Sequence, residues 1–119
     1  MASLDYRSVS IRIGVPCLTR IDQYCQNPAN RVENRSEFMG FCAARQASRI
    51  LAGKVPSYVD LRTASTTEDE TTTITISLIE RRADLIEQAC RRTRHVFSLF
   101  IIWATMAELD KIEETEAVA

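Results

Sequence analysis

Hydrophobic and polar residues alternate strictly at two places in this chain. Val9, Ile11 and Ile13 interleave with Ser8, Ser10 and Arg12, and Ile74, Ile76 and Leu78 interleave with Thr73, Thr75 and Ser77. Period-2 alternation predicts two short strands, each with one buried and one solvated face. After each strand the spacing becomes helical. Pro16 suits a first helical turn, Leu18, Ile21 and Cys25 follow, and Pro28 stops the helix. Ala83, Ile86 and Cys90 repeat those offsets after the second strand, so a cysteine stands twelve residues beyond Ile13 and beyond Leu78.

A second helix follows in each copy. Asn34, Arg35, Ser36 and Glu37 form a capping-box pattern, with Asn as N-cap and Glu three residues later. Phe38, Phe41, Cys42, Arg45 and Arg49 continue at helical spacing, and Gly53 supplies the stop. Phe100, Trp103, Ala104 and Ala107 correspond to Phe38, Phe41, Cys42 and Arg45. Each copy therefore reads as strand, helix, helix. Such a unit cannot stand alone, because a single strand leaves its backbone groups unpaired and the unit is too small for a core. Two units solve both problems if their strands pair antiparallel under four helices. The expected fold is mostly α with one short antiparallel β-ribbon. Its divisions are a first unit 7–53, a linker 54–71, a second unit 72–111 and an acidic tail 112–119. The 18-residue linker could span about 60 Å, ample for pairing within one chain.

Composition agrees with a folded helical domain. The 119 residues are 45% hydrophobic, against disorder throughout, and only three Gly and three Pro argue against a many-turned barrel. No apolar run approaches membrane-spanning length, and MASLDYRSVS has no apolar export segment. A cytoplasmic protein is expected, with Cys17, Cys25, Cys42 and Cys90 as reduced packing residues, no metal and no cofactor. No set of residues suggests an enzyme. The net charge of -1 hides an uneven distribution. Eight of the 16 acids lie at Glu68, Asp69 and Glu70 and at Glu108, Asp110, Glu113, Glu114 and Glu116; without these and Lys111, 14 bases face eight acids. Thirteen of the 15 bases are Arg, the better residue for phosphate and guanine.

The ordered set resembles the ribbon-helix-helix DNA-binding family, the MetJ/Arc/CopG superfamily, present as a tandem repeat. The resemblance rests on Ser8 to Ile13 with Leu18 to Ile21, and on Asn34 to Phe38. In the second copy Ile74 to Leu78, Leu85 to Ala89 and Phe97 to Phe100 are similar to TacA-type antitoxins. The resemblance implies an intramolecular pseudo-dimer whose ribbon enters the major groove of double-stranded DNA. By position, Ser8, Ser10, Arg12, Thr73, Thr75 and Ser77 would read bases. Asn34, Arg35 and Ser36 would hold one phosphate at a helix N-terminus, and Arg94, His95 and Ser98 another. The chain would serve as a transcriptional regulator or as a plasmid or conjugation accessory protein. The alternative is an antitoxin-like module that binds a protein, and a third is a family member used only for assembly. Four departures stand out. Pro28–Glu33 lengthens the first turn between helices, Val96 replaces a polar cap, Leu99 stands where the family is usually polar, and the second strand carries no cation. Val96 to Ala107 is apolar almost all round, which fits a buried helix, or self-association or a protein partner held through Leu99, Ile102 and Met106.

Overall fold

The computed structural model describes residues 5–54 and 70–118. Most of the expected linker, with Glu68 and Asp69, lies outside the described residues. The order is β1 (Tyr6–Gly14), α1 (Val15–Gln26), a 3-10 turn (Pro28–Asn30), α2 (Arg35–Leu51), β2 (Thr71–Ile79), α3 (Glu80–Thr93) and α4 (Phe97–Val118). The described residues are mostly helical, with one two-stranded antiparallel sheet among them.

The strands pair with Ser10 opposite Thr75, Ser8 opposite Ser77 and Arg12 opposite Thr73. Each runs two residues further at its start and one residue further at its end than the strict alternation. The register is symmetric about the Ser10–Thr75 pair, and those two residues are 65 positions apart. The same separation relates the first residues of α1 and α3, Val15 and Glu80. The ribbon is closed at both ends in one way. Val15 N–H donates to the Glu70 carbonyl at 2.9 Å, and Glu80 N–H donates to the Asp5 carbonyl at 2.9 Å.

The inner ribbon face carries Ile11, Ile13, Ile74, Ile76 and Leu78, all buried against the helices. Asn34 caps α2, its Oδ1 accepting from Glu37 N–H at 2.8 Å. Past the end of α2, Gly53 takes φ +74, a conformation glycine adopts without steric cost. Met39, Ala43 and Ala47 of α2 and Phe100, Ile101 and Ala104 of α4 complete the core. Cys17, Cys42 and Cys90 are buried in it, and Cys25 is half-buried.

Two expectations change. Ile102 and Met106 are 2% and 8% exposed, and Leu99 packs partly buried against the core. A surface for self-association or a protein partner through these residues is therefore already occupied by the chain's own helices. The acidic end does not separate at residue 112, because α4 runs unbroken to Val118. Arg20 of α1 draws it down, with 2.7 Å contacts to Asp110 and Glu113. Within α4, Glu108 is 7% exposed and accepts a hydrogen bond from Gln46 at 2.8 Å.

Candidate nucleic-acid interface

The outer ribbon face presents Tyr6, Ser8, Ser10 and Arg12 from β1 and Thr71, Thr73, Thr75 and Ser77 from β2, all exposed. All six residues expected to read bases stand together on it. The cause is the pleat, since residues two apart share a face and every Ile on the other face is needed by the core. Nine residues per strand make the ribbon about 30 Å long, with its strands about 5 Å apart. A B-DNA major groove about 12 Å wide admits such an element.

Arg12 is the one cation on this face among the described residues. Its Nε donates to Thr71 Oγ1 at 2.9 Å, so the guanidinium lies along the ribbon surface near one end. Tyr6, 58% exposed, and Thr71 were missed in the sequence reading. Their signal was the same alternation carried one step further, where a tyrosine and a threonine flanked by other threonines blur the pattern.

The first phosphate set is assembled beside the ribbon. Asn34, Arg35 and Ser36 line a notch of about 280 Å³ with Tyr6, Glu33, Glu37, Thr75 and Ser77. Ser36 Oγ accepts from Ser77 N–H at 3.0 Å, which pins the start of α2 to the edge of β2. Arg35 is already engaged, since its Nε and Nη2 donate to the two Asp22 oxygens at 2.9 Å each. The positive element left at this notch is the helix terminus itself, whose first amides point outward.

The second set lies along the turn from α3 into α4 and is built differently. Arg94 is exposed and left-handed, with φ 60, closing α3. His95 N–H donates to the Cys90 carbonyl at 3.1 Å, while its Nδ1 is out of solvent with no hydrogen-bond partner. Val96, 60% exposed, stands before α4 with no side-chain acceptor to offer its amides. Ser98 is half-buried in the first turn.

Arg7 was also missed. It points to the helix side of β1, donates to Glu80 and Glu87 of α3, and lies 3.3 Å from Asp84. Hydrogen bonds to Glu80 and then Glu87 raise the pKa of its guanidinium, so its charge is fixed. Burial likewise pushes the Cys42 thiol up to about 12 and Cys90 to about 11, and raises Cys25. A larger cavity, about 800 Å³, lies between α2, the end of α4 and the α1–α2 turn, and no ribbon residue lines it. Among the described residues there is no metal-ligating cluster and no helix long and apolar enough to cross a membrane. No family model, curated protein or solved structure matches the chain.

Proposed function

We propose that the chain is a pair of ribbon-helix-helix units folded onto each other as an intramolecular pseudo-dimer, and that it binds duplex DNA with its ribbon in the major groove. The observation that carries this reading is the outer face. Eight exposed side chains in two adjacent rows offer seven hydroxyls and one guanidinium and no aliphatic residue. A merely solvated sheet face would tolerate acids, and this one has none. The symmetric register about Ser10 and Thr75 supports the pseudo-dimer.

In this mechanism Arg12 leaves Thr71 to make a bidentate contact with guanine, worth about 1–3 kcal/mol of discrimination. The hydroxyls accept from or donate to base edges with less selectivity. The first turn of α2 holds a phosphate on its free amides. Its counterpart at Val96 is weaker, so the two ends of the ribbon grip unequally. The role is that of a transcriptional regulator or of an accessory factor at a plasmid transfer site.

Selection from a random duplex pool tests the reading. The expected result is one enriched motif with unlike half-sites, a guanine under the Arg12 end, and one chain per site. Failure to enrich any sequence, or a perfect inverted repeat with one half-site per chain, would overturn it.

A further inference from the structure

The charges that tie the first half (β1 to α2) to the second (β2 to α4) are distributed one-sidedly. Arg7 meets Glu80, Asp84 and Glu87. Arg20 meets Asp110 and Glu113. Arg45 lies 3.4 Å from Glu108. In each case the cation comes from the first half and the carboxylate from the second. Arg82 to Glu37, at 3.0 Å, runs the other way.

The decisive contact is buried. Gln46 and Glu108 are each the twelfth residue of their helices, α2 and α4, and they meet directly at 2.8 Å. Corresponding positions of the two halves therefore face each other across the axis through the Ser10–Thr75 pair. This settles what a like-with-like pair would contain. Two second halves would bring Glu108 against Glu108 in the core. Ala107 would stand where Arg45 does, Leu85 where Arg20 does, and Thr72 where Arg7 does. Two carboxylates would be buried without the Arg45 that meets Glu108 here, Asp84, Asp110 and Glu113 would lose the arginines of the first half, and Glu87 would keep only Arg91 of its own helix. Two first halves would set Arg7 against Val15, Thr19 and Asp22, the last already held by Arg35, and Arg20 against Ser48 and Leu51.

We propose that this interface is a heterotypic key, whose fitting partner is the opposite half, of the same chain or of a second copy, and which rejects its own kind. The key works by leaving charges unpartnered in the wrong pairs as much as by satisfying them in the right one. It gives the ribbon a fixed polarity, β1 always beside β2. The inference rests on the two-unit pseudo-dimer reading proposed above and does not require DNA binding.

Exposed reporters at the centre of the ribbon test it in full-length chains. Ser10→Cys and Thr75→Cys each sit opposite their own counterpart in a like-with-like ribbon, and opposite one another in the observed one. Chains are refolded from urea at rising concentration, oxidised, and read by non-reducing mass, with the unsubstituted chain as background. The expected result is that a mixture of the two variants yields linked dimers through exchanged halves, while either variant alone stays at background. Like-linked dimers within about threefold of the mixed yield would overturn the proposal. Glu108→Gln removes the buried charge and keeps the shape. In the Thr75→Cys chain it raises like-linked dimers about tenfold or more, and no rise would equally overturn the proposal.

Discussion

Arg12 and Arg35 are both arginines near the ribbon, yet their surroundings assign them different work. Arg12 holds one hydroxyl at an exposed strand position, and in the proposed complex it turns to a base. Arg12→Ala is expected to cost about 1–3 kcal/mol in specific binding and to relax selection at one base pair, read by competition between the selected site and single-position variants. Arg35 is neutralised by Asp22, so its charge contributes little to phosphate attraction as the protein stands. Asp22→Asn releases it. Binding to all sequences should tighten alike, and the slope of log affinity against log salt should steepen by about 0.9, measured by titration across a salt series. Arg12 was legible from alternation alone. The restraint on Arg35 was not, because Asp22 lies thirteen residues away on another helix. Arg7 was hidden for the same reason, with partners 73 and 80 positions distant.

At the level of elements, α2 shows how local signals and packing divide the task. Asn34 closes its start with a bond to Glu37 N–H, as the capping pattern implied. Asn34→Ala should lower stability by about 1 kcal/mol in urea unfolding and loosen the notch beside Ser77. Glu37 departs from the pattern, its carboxylate taking Arg82 at 3.0 Å. Gly40, in mid-helix, looks unfavourable by propensity. Its reason is tertiary, since a Cβ there would stand 3.0 Å from Leu78 Cδ2 in a closed part of the core. Gly40→Val should cost about 1–3 kcal/mol by overpacking, seen as a lower urea midpoint with the cooperativity retained. In α4 the apolar run announced burial, but its length did not. The extension to Val118 runs past Arg20 on α1, which meets Asp110 and Glu113 and which spacing along α4 cannot reveal.

At the scale of the whole fold, the described residues form one ribbon under four helices, and their core keeps two thiols from ionising. An unfolded chain loses those protons as pH rises through the ordinary 9.0, while the folded chain holds them to about 12 at Cys42 and about 11 at Cys90. Their contribution is complete below pH 9 and is lost between about 9 and 12. Urea midpoints should fall across that window, and Cys42→Ala should make the fall shallower. Strands, helices and the outward row of hydroxyls were legible in the sequence, because period and capping are local properties of neighbouring residues. Which carboxylate meets which guanidinium, that Gln46 faces Glu108, and that Ile102 and Met106 lie inside were settled only when the halves closed on each other. Those contacts join residues far apart in the chain, and no spacing along it records which face will be covered.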